Sequence, residues 1–191
     1  MSASIFRSFL RHPTQVGALC ASSDALAHTI TDAVGIETAP VVVELGPGTG
    51  VFTREILRRR QDCAGRFLAV EIDGELYRNL HRDFPDLELY RDNAVRLPEL
   101  LKTHSLEYAD VIVAGLPWAI FPEQLQTDIL ESVRRSLKPG GYFLTFAYIQ
   151  GLLLPAGQRF RRQLRESFAE VTTSSTVWRN LPPAFVYRCK L

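Results

Sequence analysis

Residues 41–60 read VVVELGPGTGVFTREILRRR. An apolar run meets an acid, Glu44, and Gly46, Gly48 and Gly50 then occupy every second position. Glycines suit a sharp strand-to-helix reversal because they accept positive φ. They also let a ligand lie against bare backbone. The helix after the turn points its free N–H groups at that ligand. Two further acids end apolar runs in the same way. Glu71 closes FLAVE, about 20 residues beyond the last glycine, where a carboxylate can accept hydrogen bonds from both hydroxyls of a ribose. Asp92 follows LELYR and precedes Asn93. Either acid alone could instead be a helix cap.

Elements that would position these groups alternate along the chain. Strands are predicted at 41–45, 66–71, 87–91, 109–114 and 141–148, with helices over 51–60, 74–83, 123–137 and 156–169. Short apolar runs alternating with helices indicate an α/β fold, a mostly parallel sheet covered on both faces, with the glycine turn at its carboxyl edge. Residues 171–178 and 184–190 read as a hairpin joined by the short turn RNLPP, so that the last strand enters antiparallel. Two helical patterns precede the first strand: residues 2–11, with Ile5, Phe6, Phe9 and Leu10 on one side and Arg7 and Arg11 beside them, and residues 24–34, which Ser22 or Ser23 could cap. One domain over 1–191 is expected, with 1–35 as a cover for substrate and a contact with a membrane surface.

Val51, directly after the glycines, narrows the ligand class. A dinucleotide turn wants G-x-G-x-x-G, and Val51 stands where the third glycine belongs. The spacing E-x-G-x-G-x-G resembles the first motif of class I S-adenosylmethionine-dependent methyltransferases. That resemblance implies a Rossmann-like fold with a seven-stranded sheet, and S-adenosylmethionine as cofactor. It implies Glu44, Gly46, Gly48, Gly50, Glu71, Asp92, Asn93 and Gly115 as the residues around the cofactor, with Asp92 taking the adenine amino group.

The fourth strand leads into Gly115-Leu116-Pro117-Trp118. In adenine-N6 methyltransferases an Asn or Asp begins this segment and an aromatic residue stacks on the base. Here the proline and the aromatic remain but the amide acceptor does not, which weakens an rRNA adenine methyltransferase, the alternative reading. The segments FLRHPTQVGALCASSDALA, VVELGPGTGVFTREIL, GLPWAIFP, LKPGGYFLTFAY and VWRNLPPAFVYR together look like the bacterial phospholipid N-methyltransferase family, with Ala21 departing from a proline the family often has. The resemblance implies methylation of phosphatidylethanolamine towards phosphatidylcholine. The substrate-side candidates are then Trp118, Phe121 and Tyr148 as an aromatic cage for a methylated ammonium, with Tyr148 and Trp118 nearest the chemistry. Pro117, Arg179 and Asn180 join them as substrate contacts, Arg179 for the phosphate. Core packing is the competing account of the three aromatics, and a plain surface turn that of Arg179.

Composition sets the partners. Net charge is +1, but residues 1–22 carry +2, residues 151–191 carry +5, and the middle is acidic. Basic ends suggest an anionic surface met by the termini, and the arginine-flanked apolar residues of 2–11 suit an interfacial helix. That helix could equally pack on the domain. No nucleic-acid partner is expected. Cys20, Cys63 and Cys189 and four scattered histidines offer no metal-ligand spacing. With no apolar run of spanning length and no leader pattern, the expected location is the cytoplasm, peripherally on the inner face of the cytoplasmic membrane.

Overall fold

Five apolar runs pair side by side in the computed structural model, which describes residues 22–32 and 34–191. The strands are β1 (Val41–Leu45), β2 (Arg66–Val70), β3 (Glu88–Tyr90), β4 (Ala109–Ala114), β5 (Leu137–Tyr148), β6 (Glu170–Thr173) and β7 (Ala184–Lys190), in the order β3-β2-β1-β4-β5-β7-β6. The first five are parallel, and β7 enters antiparallel between β5 and β6. The helices are α1 (Asp24–Thr31), α2 (Val51–Arg59), α3 (Gly74–Asp83), α4 (Leu97–Thr103), α5 (Glu123–Ser136) and α6 (Pro155–Ser167).

The apolar runs have no polar face because both faces of the sheet are covered. Val43, Leu45, Ile112 and Phe143 pack with Leu97, Ile129, Val133 and Phe160 on one side. Val42, Val111 and Leu144 pack with Leu26, Ile30, Phe52, Ile56 and Leu80 on the other. The Ser23 hydroxyl caps α1 by accepting from the Leu26 N–H at 3.2 Å, and the Asp73 carboxylate caps α3. Residues 2–11 lie outside the described residues.

One helix has no counterpart among the expected elements, and two strand boundaries differ by four residues or more. Helix α4 carries Leu97, Leu100 and Leu101 on one side, but at seven residues it is too short to show a period by itself. Strand β5 begins at Leu137, directly after α5, rather than at 141. The end of the chain makes an antiparallel pair, but β6 stops at Thr173 and residues 174–183 carry the reversal, tied down by an isolated bridge between Val177 and Ala184.

The topology sets the crevice. From β1 the chain steps outward to β2 and β3, then returns across β1 to β4. The turns leaving β1 and β4 therefore part in opposite directions at the carboxyl edge, where such sheets bind ligands.

Candidate active site

The glycine turn stands at that parting. Gly46, Gly48 and Gly50 have φ of +68°, +59° and +81°, the left-handed region each was expected to need. Their surroundings differ. A Cβ on Gly46 would meet Leu116 Cδ2 at 2.6 Å, and one on Gly50 would meet Phe84 Cε2 at 2.6 Å. A Cβ on Gly48 would meet none of the described residues within 4 Å. Gly48 thus faces open space, while its neighbours are seated against the fold. Gly115, after β4, comes so close that a Cβ there would lie 2.6 Å from the Gly46 carbonyl oxygen.

The acids at the strand ends take separate positions around this turn. Glu44 is fully buried beneath the start of α2, where its Oε2 accepts from the Thr53 hydroxyl at 2.6 Å and Oε1 has no partner among the described residues. Burial pushes its carboxyl up to about 8 against the opposing hydrogen bond from Thr53. Glu71 Oε2 accepts from the Gly48 N–H at 3.1 Å, and Oε1 accepts from the Asp73 N–H at 2.9 Å. It is 2 % exposed, and burial raises its pKa in spite of those two bonds. Asp92 is partly exposed, accepts from the Asn93 N–H at 2.7 Å and pairs with Arg96 at 3.3 Å. Asn93 Oδ1 caps the short turn after it by accepting from the Val95 N–H.

The substrate-side candidates do not form one group. Trp118, on the turn after Pro117, is 3 % exposed, donates its indole N–H to the Thr145 hydroxyl at 2.7 Å and stacks on Phe160 at 4.2 Å. Phe121 packs edge-on against it, 5.9 Å away, in the same core. Tyr148 packs on Phe146 with the cluster on the opposite face of the sheet. Alternation along β5 explains the split, since Thr145 beneath Trp118 and Tyr148 differ by an odd number of residues. Trp118 and Phe121 thus take the core-packing role. Asn180 is also buried: its Oδ1 accepts from the Ser23 N–H at 2.8 Å, and its amide donates to the Pro182 carbonyl at 2.6 Å, tying the reversal to the start of α1. Sequence reasoning missed this clip, because its partner lies 157 positions away. Arg179 is exposed and lines a groove of about 670 Å³ with Thr29, Thr173, Ser174 and Arg188, apart from the glycine turn.

The family model described as a methyltransferase domain matches residues 42–141, from within β1 through α5 and into β5. The chain belongs to that methyltransferase family. This methyltransferase is 35% identical over 186 residues to an ornithine lipid N-methyltransferase of Singulisphaera acidiphila, covering 95% of this chain and 92% of that protein, so the two are members of one family along almost their whole length. A ribosomal RNA small subunit methyltransferase A of Dehalococcoides mccartyi is 32% identical over 102 residues, which is 51% of this chain and only 33% of that protein. Among solved structures, the glycopeptide N-methyltransferase MtfA complexed with S-adenosyl-L-homocysteine superimposes with a TM-score of 0.68 at 14% identity, over 94% of this chain and 95% of that one. The fold is the Rossmann-like class I methyltransferase fold expected from the glycine turn, and the methyl donor is S-adenosylmethionine.

The residues present fit that donor. Gly48 leaves room where a ligand must touch backbone, and Glu44 Oε1 has no partner among the described residues.

Proposed function

We propose that this methyltransferase methylates the primary amine of a membrane aminolipid, with phosphatidylethanolamine or ornithine lipid as acceptor. The observation that carries this reading is the extent of the similarity. The lipid N-methyltransferase relative aligns from end to end, whereas the rRNA methyltransferase aligns over about half the chain. The site supports the same choice. Gly115 stands where adenine-N6 methyltransferases place an amide or acid, and the Gly46 carbonyl oxygen occupies the space its side chain would need. The two lipid acceptors share a primary ammonium beside an anionic group, at a membrane surface.

In this reading the backbone of Gly46–Gly50 and the N-terminus of α2 hold the methionine portion of the donor. Glu71 accepts from the ribose hydroxyls, Asp92 from the adenine amino group, and Asn93 and Gly115 border the purine and the crevice. S-adenosylmethionine supplies an electrophilic methyl group on a sulfonium. The protein's task is then alignment of an amine with that methyl group. The amine must also arrive without its proton, and a desolvated crevice favours the neutral form. Pro117 and Tyr148 shape the acceptor side, and Arg179 receives the anionic group of the headgroup from its rim.

Labelled S-adenosylmethionine incubated with liposomes of phosphatidylethanolamine, with liposomes of ornithine lipid and with small-subunit rRNA separates the choices. Label in a methylated lipid is the expected result, and the liposome that accepts it identifies the headgroup. Label in RNA alone would overturn the proposal.

A further inference from the structure

Exposed large apolar side chains are gathered at one place. Among the described residues the strongly exposed ones are Leu153 at 79%, Leu181 at 78%, Trp178 at 75%, Leu154 at 45% and Tyr108 at 42%. A single exposed leucine needs no explanation. Four of these five, however, stand on two loops. One follows Tyr148 at the end of β5, the other precedes Ala184 at the start of β7, and Tyr148 and Ala184 pair directly. The loops are joined by a hydrogen bond from the Ile149 N–H to the Pro183 carbonyl at 3.0 Å. Both therefore stand at the carboxyl edge of the sheet, the edge that bears the glycine turn.

The segments that carry them are basic, although Arg159 pairs with Glu123 at 3.6 Å and Arg162 with Glu166 at 4.0 Å. Segments 149–165 and 174–183 contain Arg159, Arg161, Arg162, Arg165 and Arg179 and no acidic residue. Arg179 lies between Trp178 and Leu181 in sequence, and Arg161 and Arg162, both exposed, follow within α6. An apolar tip with arginines behind it matches a bilayer surface: leucine and tryptophan enter the acyl and headgroup region, and the arginines meet anionic lipid.

We infer that loops 149–154 and 178–183 form the edge by which the chain docks on an anionic membrane, with Leu153, Leu154, Trp178 and Leu181 entering the interface and the crevice opening onto the lipid headgroups. The inference rests on the aminolipid reading above and adds to it where the bilayer is met. It differs from the interfacial role expected of residues 2–11, because it requires no contribution from them. Docking at this edge brings a headgroup to the crevice without lifting the acyl chains into water, a transfer that the burial energy of two chains would oppose strongly.

The chain carries its own reporter. It has two tryptophans, Trp118 at 3% exposure in the core and Trp178 at 75% on the loop. Vesicles of phosphatidylcholine mixed with phosphatidylglycerol should shift the emission of the full chain to the blue and protect it from acrylamide. Phosphatidylcholine alone should do so less, and Trp178→Phe should abolish the shift. Leu153→Ser with Leu181→Ser should weaken vesicle binding on the order of ten-fold per residue, since each removes a large apolar side chain from the interface. Methylation of vesicle lipid should fall in step, while methylation of a short-chain aminolipid dissolved as monomers stays at the parent rate. Calorimetric titration with S-adenosylmethionine verifies that the double variant is folded.

Three results would overturn the inference: co-sedimentation with vesicles without a change at Trp178, parental vesicle methylation by the double variant, or Trp178 already blue-shifted and shielded without vesicles. The last would mean that the edge is already covered in solution without lipid. A lipid-dependent shift at Trp178 with no methylation of either vesicle or monomeric lipid would support the docking edge and defeat the aminolipid reading instead.

Discussion

Replacing Glu44 by Gln should make the cofactor-free chain more stable at neutral pH and slightly less stable in acid. Glu44 is fully buried, and burial moves its carboxyl from 4.5 to about 8, with the Thr53 hydrogen bond opposing and the nearby Glu71 adding to the shift. The folded state thus keeps a proton that the unfolded chain gives up. Its contribution to stability is complete below about pH 4.5, declines as pH rises towards 8 and is level above that. At about 1.4 kcal/mol per pH unit, the decline reaches about 3 kcal/mol by pH 7. Glutamine keeps the shape and the acceptor for the Thr53 hydroxyl but cannot ionise. It brings a buried N–H donor that costs about 1 kcal/mol. The variant should therefore be about 1 kcal/mol less stable than the parent near pH 4.5 and about 2 kcal/mol more stable at pH 7. Urea unfolding of both proteins across this range measures the difference directly. Shifted carboxyls that do not interact with Glu44, such as Glu55, held down to about 2 by its hydrogen bond from Arg58 and then by Arg59, are common to both proteins and cancel. A difference that does not vary with pH between 4.5 and 8, or one in which the parent gains on the variant as pH rises, would refute the reasoning.

Two more perturbations separate seating from binding. Gly46→Ala forces a Cβ against Leu116 at 2.6 Å and at positive φ, and should lower the unfolding free energy by about 2 kcal/mol or more. Gly48→Ala meets none of the described residues within 4 Å and should cost only about 1 kcal/mol of backbone strain, yet reduce S-adenosylmethionine affinity at least ten-fold by filling the open space. Thermal unfolding reads the first effect and calorimetry the second. Asn180→Ala strands the Ser23 N–H and the Pro182 carbonyl and should lower stability by about 1–3 kcal/mol while leaving cofactor affinity at the parent value.

Much of the cofactor side was readable from local pattern. The left-handed φ at Gly46, Gly48 and Gly50 follows from a tight reversal that any other residue would resist, and the positions of Glu71 and Asp92 after their strands follow from strand length. The substrate side was not readable in the same way. Trp118, Phe121 and Tyr148 are all close to strand ends in sequence, but a strand sends alternate side chains to opposite faces, and the packing of α5 and α6 drew Trp118 and Phe121 into the core. Asn180 looked like a rim residue because nothing local reveals that its amide holds Ser23.

Residue order by itself determined the alternation of strand and helix, the glycine turn and the acids beside it, because these depend on backbone conformation and on spacings of a few residues. The tertiary structure alone decided which aromatics are buried, which carboxyl oxygen lacks a partner among the described residues, and that Leu153, Leu154, Trp178 and Leu181 stand together at the edge bearing the crevice. Those outcomes depend on contacts between segments far apart in the chain, and no local pattern encodes which segments meet.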